Sequence, residues 1–461
     1  MVFNIILNGS NIINPNNTMF AKSFIGGCLT IPENSEMCIS QIVIPYSWFN
    51  ITANYNNNVL SYYWNGYYPS VIWNGTMAGT TFTGTADSGS SGSFTSGQLV
   101  IGDNLPDGTT VSSTGTGTVT LSSTYSGTAP TVVTGIPTFT GYITMTTISG
   151  VSTPILTLSS TVTGTFALNA VLYSSNTSLA SNVYVSSLYS GTLGTTGSTY
   201  ILSSTQTVNV GSSGSPIKFG FIGTYNTITF PDGFYNVSDV NNYMQSYMIS
   251  KKQYVYNSTL LQNKYFSNLY SNNTYYATQF VLPTIPTSTT KWNSANTDYS
   301  WTFPSGFPFS AKGYTSQVSV VANMTDYLGL TTGIYPSSYS SSDSNVLSNY
   351  SPNASYVNSI VVRCNLVNNN ATAPTDVVDT FYPNTTFGSN IVYEPYYEKW
   401  VDVVSGTYNN IYIYLQDQDG NQIYARDSNV LISLLLKAPD VPYIQPIQTI
   451  VQSIQPLDFK D

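Results

Sequence analysis

The sequence contains no histidine, and this absence removes several kinds of chemistry at once. Histidine is the usual general base near neutral pH, a member of Ser-His-Asp triads and the commonest transition-metal ligand. The three cysteines, Cys28, Cys38 and Cys364, are too few and too scattered to form a structural zinc site alone. We therefore assign no catalytic, cofactor-binding or metal-ligating residue from the sequence.

Charged residues are also scarce, at 7% of the 461 residues, and only 12 of them are Lys or Arg. A nucleic-acid-binding surface needs a basic stripe that neutralises phosphates, whereas the formal net charge here is −9. The densest basic spot is the pair Lys251-Lys252, which we expect to be solvated. We therefore expect no specific nucleic-acid partner, and binding to an anionic membrane is disfavoured for the same reason.

Carboxylate catalysis has few candidates, because the chain contains only four glutamates. Glu394 and Glu398, in "VYEPYYEKW", are the nearest pair that could serve a two-carboxylate glycosidase. Pro395 lies between them and argues against a shared helix face. We favour a solvated or interface role for this pair, and we expect that the protein is not an enzyme.

The stretch "DQDGNQ" at 417–422 is similar to the start of a calcium-binding loop. In such a loop the sixth position needs Gly and the twelfth needs a bidentate Glu, but Gln422 and Ser428 occupy them. No cofactor or metal is therefore predicted.

Long hydrophobic runs are missing too. No run of about 18 apolar residues occurs, so no membrane span is expected. The first residues lack a basic lead and turn polar quickly, which is not typical of a signal peptide. An odd number of cysteines in a chain of this size argues against a disulfide framework, and we expect buried free thiols in a reducing compartment.

Residues that favour strands and turns dominate what is present. Aromatic residues make up 14% of the chain, including 38 Tyr, and Ser, Thr, Asn and Gly are abundant. These residue types predict an all-β protein. Between residues 66 and 216 the only charged residues are Asp87, Asp103 and Asp107. Phrases such as "YITMTTIS", "PILTLSS" and "TYILSSTQTVNV" predict short strands there, so we expect 66–216 to fold as an inserted Ser/Thr/Gly-rich β domain.

The flanking segments, 1–65 and 217–437, hold nearly all the charge. "EMCISQIVIPY" alternates, which predicts Cys38, Ser40, Ile42 and Ile44 on one side of a strand. "NVLISLLLK" predicts a last, buried strand. The two flanks together predict one β-sandwich that the insert interrupts, since insertion into a surface loop costs little.

The phrase "NIYIYLQ" places Ile411, Ile413 and Leu415 on one face of a predicted strand. Asp419-Gly420 follows and predicts a hairpin into "NQIYAR". The tail, 438–461, repeats Ile-Gln-Pro without turn signals, which predicts either an extended C-terminal arm that lies along a neighbour or a frayed terminus.

One short helix is predicted within "ITFPDGFYNVSDVNNYMQSYM", residues 228–248. We expect it to begin between Tyr235 and Asp239, where Asn236 or Ser238 can cap it. An apolar stripe at helical spacing follows, and it consists of Val240, Tyr243, Met244, Tyr247 and Met248. This stripe predicts a helix that packs on the end or flank of the sandwich as a crossover between two strands.

Six phrases in the flanks resemble the penton, or vertex, proteins of virophages and related double-stranded DNA viruses. They are "FNIILNGSNIINPNNTMFAKSF", "IPENSEMCISQIVIPYSWFNIT", "YNTITFPDGFYNVSDVNNYM", "YLGLTTGIYP", "VNSIVVRCNLVNN" and "IYLQDQDGNQIYARDSNVLISLLLK". The step from strand to helix at "ITFPDGFY" is the most specific of them. The resemblance covers 1–65 and 217–437 but not 66–216, and it transfers no catalytic residue.

This resemblance implies a single eight-stranded jelly roll, with one short helix and the inserted domain. It implies a structural virion protein that forms the homopentameric penton at the five-fold vertices of an icosahedral capsid assembled in the host cytoplasm. The partners it implies are other copies of the chain, major capsid protein capsomers and an internal minor capsid protein. We expect the insert to project outward, where it could meet a surface receptor of the host or of a giant virus.

Two other classes of function remain open from the sequence. A receptor-binding adhesin or lectin-like attachment protein would use the Ser/Thr/Gly domain as its head, with Trp73 and several Tyr available to stack on sugars. A pentamer in solution would favour the penton, and a trimer or monomer would favour the adhesin. A glycan-degrading enzyme is disfavoured by the few carboxylates and the missing histidine.

Overall fold

The computed structural model describes residues 2–24, 28–66, 71–87, 93–163, 166–289, 292, 301–310, 312–353 and 355–439. The chain forms two compact units, one from Met1–Phe49 with Tyr356–Asp461 and one from Asn50–Ser355. Strands account for most of the regular structure in both, which confirms the predicted all-β class. The predicted C-terminal arm lies outside the described residues, apart from Ala438 and Pro439.

In its described residues the first unit contains eight main strands and three short ones. The strands are β1 (Val2–Asn8), β2 (Met19–Ser23), β3 (Leu29–Ile31), β4 (Glu36–Pro45), β25 (Ile360–Cys364), β26 (Val377–Phe381), β27 (Asn390–Tyr393), β28 (Val401–Asp402), β29 (Gly406–Tyr408), β30 (Asn410–Asp417) and β31 (Leu431–Lys437), with a 3₁₀ turn at Gly9–Asn11 after β1. Sheet A has the order β1-β31-β4-β27, and sheet B has the order β2-β30-β25-β26. All neighbours in both sheets are antiparallel.

This strand order is that of a complete jelly roll. Among the eight main strands the first pairs with the last, the second with the seventh, the third with the sixth and the fourth with the fifth. Such nested pairing is what two Greek keys produce when they wrap into a two-sheet sandwich. The jelly roll is therefore finished within residues 2–49 and 356–437, and the second unit occupies the connection between β4 and β25.

The two ends of that connection both bind the β30–β31 loop. On the leaving side, the Ser47 hydroxyl accepts hydrogen bonds from the backbone of Arg426 and Asp427, at 3.0 and 3.1 Å. On the returning side, Gln418 Nε2 donates to the Tyr356 carbonyl at 2.9 Å. One loop thus holds both points at which the chain leaves and re-enters the jelly roll.

The residues that face the inside of the sandwich are those predicted from the sequence in β30, but not all of those predicted in β4. Ile411, Ile413 and Leu415 of β30 are buried together, as predicted. In β4 the predicted set was wrong, because the pairing register with β31 shifts between Ser433 and Leu434. This bulge moves Cys38 and Ser40 off the inner face, which is formed by Met37, Ile39, Ile42 and Ile44.

The Asp419-Gly420 turn forms, but the predicted hairpin does not. Asp417 Oδ1 accepts from the backbone of Asp419 and Asn421, which closes the turn, and Gln416 makes a single bridge to Gln422. No strand follows before Leu431 in this fully described stretch. The chain instead crosses to the other sheet, where β31 lies between β1 and β4.

The second unit contains twenty described strands. They are β5 (Val59–Trp64), β6 (Val71–Ala78), β7 (Thr81–Ala86), β8 (Leu99–Gly102), β9 (Val111–Gly115), β10 (Thr118–Leu121), β11 (Val132–Ile136), β12 (Thr138–Ile148), β13 (Val151–Leu158), β14 (Ala170–Tyr173), β15 (Val185–Ser190), β16 (Thr199–Leu202), β17 (Ile217–Thr229), β18 (Tyr254–Asn257), β19 (Gln262–Tyr265), β20 (Asn268–Asn272), β21 (Ala277–Leu282), β22 (Gln317–Val320), β23 (Gly333–Tyr335) and β24 (Ser344–Leu347). A six-stranded sheet has the order β8-β11-β6-β7-β10-β9. A nine-stranded sheet has the order β15-β16-β13-β12-β17-β5-β22-β23, with β14 also on β17.

The boundaries predicted for the insert, 66 and 216, fall inside this second unit. β12 pairs with β17 from Thr138 to Gly141, and β17 pairs in turn with β5 from Thr224 to Thr229. One sheet therefore joins strands of the predicted insert, β12 to β16, to the flanking strands β5 and β17. The division at 49/50 and 355/356 differs from the sequence expectation because β5 and β17 carry strand patterns that do not specify which sheet they join.

The predicted helix is α1 (Val237–Ser250), and it begins where the sequence predicted. Asn236 caps it by accepting from the backbone of Asp239 at 2.9 Å, and the Asp239 carboxylate accepts from the Asn236 backbone. Val240, Met244 and Met248 are buried in a core cluster. The expected placement on the sandwich was wrong, since α1 packs on β20 within the second unit.

A second, single-turn helix, α2 (Thr325–Leu328), follows a 3₁₀ turn at Ala322–Met324. It ends at Gly329, whose φ of 66° is the left-handed conformation that glycine adopts most readily. Among the described residues no helix is long and apolar enough to cross a membrane.

Candidate assembly surface

The outer face of sheet A in the first unit carries exposed apolar side chains. Val2 and Ile6 of β1 are 56% and 45% exposed, and Val392 of β27 is 46% exposed. Cross-strand pairing places Ile6 opposite Ser433, and Ser433 opposite Gln41, so this face continues onto β4. β1 is also an edge strand, since it pairs only with β31 among the described residues. A long apolar edge of this kind is normally covered by a partner.

Residues 394–400 connect β27 to β28, which both pair with β4, and hydrogen bonds fix this segment at both ends. Gln41 Nε2 donates to Glu394 Oε1 at 2.6 Å. Lys399 Nζ lies 2.8 Å from Asp379 Oδ1, and this hydrogen bond to the carboxylate raises the pKa of Lys399. The Tyr393 hydroxyl donates to the other oxygen of Asp379 at 2.5 Å.

Two tyrosines extend from this anchored segment. Tyr396 and Tyr397 are 90% and 76% exposed, and their rings meet edge to face with centroids 4.6 Å apart. Large aromatic rings held on a fixed backbone lose little entropy on binding, and Tyr is enriched at the centres of protein interfaces. We call Val2, Ile6, Val392, Tyr396 and Tyr397 the outer apolar surface.

The last described strand, β31, ends at the edge of this surface. Lys437 pairs with Val2, and its Nζ lies 3.1 Å from Glu36 Oε2 and 5.4 Å from the centroid of the Trp400 ring.

The glutamate pair considered for catalysis lies on this surface. Glu394 is engaged by Gln41, and Glu398 lies close enough to the Cys38 thiol to affect it. Burial, and secondarily the charge of Glu398, raises the pKa of Cys38 to about 11. The sequence favoured a solvated or interface role for this pair, and that role stays a prediction.

The cysteines follow the sequence expectation at two of three positions. Cys38 and Cys364 are fully buried, and burial raises the pKa of Cys364 to about 12. Cys28 is exposed, which contradicts the expectation of a buried thiol, because it precedes the short strand β3 rather than lying within a strand. Among the described residues no group of three His, Cys, Asp or Glu could hold a metal ion.

Val2, Ile6 and Val392 were not predicted as surface-forming residues. A signal was present, since "VFNIILN" has apolar residues at adjacent positions and so on both faces of a strand. In a strand with one solvated face, apolar and polar residues alternate along the chain. The apolar residues on both sides of β1 therefore indicate that both of its faces are covered, without identifying the partner.

No protein-family model matches this sequence, and no curated protein matches it. Solved structures do match. The penton protein of mavirus is 7% identical, with 94% of this chain and 97% of that chain covered and a TM-score of 0.31. This chain resembles a virophage penton protein. A chain in the structure of the Sputnik virophage is 11% identical, with 95% and 96% coverage and a TM-score of 0.26.

The strand order of the first unit and its exposed side chains define the candidate assembly surface.

Proposed function

We propose that this protein is a structural virion protein, not an enzyme, that forms the homopentameric penton at the five-fold vertices of an icosahedral capsid. The observation that carries the proposal is the strand order of the first unit, β1-β31-β4-β27 against β2-β30-β25-β26, which is a complete jelly roll. Jelly rolls build viral capsid and lectin domains. The sequence phrases that resemble virophage pentons contribute six of its eight main strands, all but β26 and β27.

The outer apolar surface supports assembly into a ring. In a five-fold ring each copy uses one surface to bind a different surface on the next copy, and rotation closes the ring. The outer apolar surface would be one half of such an interface. The outward side of β30, with half-buried Tyr412 and Tyr414, would be the other half.

The second unit would project outward from the capsid. The second unit is large, and an insertion in a loop at one end of the jelly roll leaves both sheets of the sandwich intact. Between Asp107 and Lys218 the chain has no charged residue, so five copies around one axis would not repel each other strongly. Other partners in this proposal are major capsid protein capsomers and an internal minor capsid protein, with a host or giant-virus receptor bound through the second unit.

The test is to replace both exposed tyrosines, Tyr396→Ser with Tyr397→Ser, and to measure the oligomeric state. The pentamer should weaken by at least tenfold in dissociation constant, because two exposed aromatic rings lose their contacts, whereas the melting temperature of the monomer should be unchanged. The matched control is Tyr275→Ser with Tyr276→Ser, a second pair of adjacent tyrosines, 68% and 74% exposed, in the second unit. Equal loss of pentamer in both variants would contradict this assignment of the interface.

A lectin-like attachment protein remains the second candidate function. A cleft of about 430 Å³ in the second unit, whose lining includes Asp103, Lys264, Lys312 and Asp343, favours it.

A further inference from the structure

The hairpin that β18 and β19 form carries two exposed leucines at its tip. Leu260 and Leu261 lie in the turn between the two strands, and they are 42% and 89% exposed. Tyr256, on β18, is 36% exposed. Single exposed apolar side chains are common on protein surfaces, whereas adjacent ones on one turn form a patch that suits a partner or a membrane.

The hairpin is anchored in the second unit behind this tip. Val255 is fully buried in a core cluster. The backbone of Tyr256 exchanges two hydrogen bonds with the backbone of Thr302, at 3.0 and 2.8 Å. In the turn itself, the side-chain oxygen of Asn257 accepts hydrogen bonds from two backbone N–H groups, each at 3.0 Å. The leucines therefore lie on a fixed turn, and little conformational entropy is lost when a partner buries them.

The backbone of Leu261 has a conformation that leucine rarely adopts. Its φ is 53°, in the left-handed region that Gly and Asn tolerate best. A bulky side chain in this conformation costs stability, so Gly or Asn would suit the turn better. The stability of the hairpin therefore does not explain why this position is a leucine.

The sequence around the hairpin is basic, although the chain as a whole is acidic. Residues 240–290 contain Lys251, Lys252 and Lys264 and no Asp or Glu, whereas the formal net charge of the chain is −9. Lys251 and Lys252 are exposed, and neither makes an ion pair with a described residue. The net charge, which argued against an anionic membrane, does not reveal this local excess of lysine.

The lysine pair and the leucine pair lie at opposite ends of the hairpin. Lys251 and Lys252 shortly precede β18, a strand of 4 residues that is about 13 Å long. An apolar surface of this kind enters a bilayer by about 5–10 Å. A hairpin that enters along its long axis therefore leaves the two lysines within about one Debye length, roughly 8 Å, of the membrane surface.

This arrangement matches the surface of an anionic bilayer. Lysines near such a surface are attracted to its headgroups, and leucines are stabilised when they leave water. We propose that Leu260 and Leu261 insert into an anionic lipid membrane while Lys251 and Lys252 bind its headgroups. The hairpin lies in the membrane surface and does not span the bilayer.

The test is co-sedimentation of the full-length protein with sucrose-loaded vesicles. Vesicles of phosphatidylcholine alone would be compared with vesicles that also contain phosphatidylserine. The protein should bind the anionic vesicles more tightly, by about fivefold for each lysine, and added salt should weaken this preference.

Leu261→Asn separates membrane binding from folding. Because Asn tolerates the left-handed conformation, this variant should melt at or above the wild-type temperature. Its binding to the anionic vesicles should fall by about tenfold, because the more exposed leucine of the tip is lost. Lys251→Gln with Lys252→Asn should remove the preference for anionic vesicles and leave the binding to neutral vesicles unchanged.

The matched control is Val151→Ser. Val151 is 65% exposed beside the turn of the β12–β13 hairpin, in a stretch without charged residues. This variant should bind vesicles as the wild type does. No binding to either kind of vesicle, equal binding to both, or a Leu261→Asn variant that binds like the wild type would overturn the proposal.

The proposal does not depend on pentamer formation, which is measured without vesicles. Leu261→Asn should leave the oligomeric state unchanged. A loss of oligomers in this variant would show that the tip contacts another copy of the chain, and this result would also overturn the proposal.

Discussion

Deleting residues 50–355 and joining Phe49 to Tyr356 through a Gly-Ser linker is expected to leave a folded jelly roll. All eight main strands find their partners within residues 2–49 and 356–437. A linker of about eight residues spans up to roughly 26 Å, whereas packed sheets lie about 10 Å apart. Replacing roughly 300 residues by this linker lowers the loop-closure cost by at most about 3 kcal/mol, so stability should not fall.

The contrasting deletion removes only residues 66–216, which matches the boundaries predicted from the sequence. It removes β12, whose Phe139 ring lies 5.4 Å from Phe219 and 5.5 Å from Phe221. Both of these phenylalanines are fully buried in β17. Uncovering them costs about 1.5–3 kcal/mol each, and an edge strand is left open as well. We expect the remainder of the second unit to aggregate or unfold.

Hydrogen exchange and thermal melting of the two deletion variants distinguish these outcomes. Strands β1, β4, β30 and β31 should keep their protection in the 50–355 deletion. The same strands are then the reference for the 66–216 deletion, in which protection of β17 should be lost. A soluble, well-folded 66–216 deletion beside an unfolded 50–355 deletion would refute the division at Phe49 and Tyr356.

Three further predictions concern single residues. Val240→Asp should destabilise the second unit by roughly 3 kcal/mol or more, because it buries an unpaired charge, and should leave the jelly roll's melting transition unchanged. A variant that melts at the wild-type temperature would show that this face of α1 is not buried. In the native protein only Cys28 should react readily with a thiol reagent, and rapid labelling of Cys364 at pH 8 would contradict this. Burial raises the pKa of Cys364 from 9.0 to about 12, so the folded state keeps the thiol proton when the unfolded state loses it, and the free energy of unfolding should fall as pH rises above about 9. Gly75→Ala should destabilise the six-stranded sheet by about 1–3 kcal/mol, since the added Cβ would lie 2.0 Å from the Thr83 carbonyl oxygen. The control Gly214→Ala places its Cβ within 4 Å of nothing and should not destabilise the protein. Equal melting temperatures of the two variants would contradict the prediction.

Local patterns in the sequence predicted many elements of this fold. The alternation of β30, the start of α1 and the short strands between 138 and 202 all correspond to structure. Each depends on neighbours a few residues away, through burial of one face or through a cap. Periodicity of this kind is readable without knowing the partner strand.

Features that depend on distant partners were not predictable. The bulge that moves Ser40 off the inner face of β4 arises from pairing with β31, which is almost 400 residues away in sequence. β17 resembles the jelly-roll strands in composition, yet it joins a sheet with β5 and β12. One cleft is lined by Asp103, Lys264 and Asp343, whose separations in sequence follow no motif.

The symmetry of the purified full-length protein tests the central proposal most directly. Native mass spectrometry should give about 250 kDa for five copies of the 50.1 kDa chain, and cryo-electron microscopy class averages should show five-fold symmetry. A monomer, or a trimer with three-fold averages, under conditions in which the jelly roll is folded would contradict the penton assignment and favour the attachment protein.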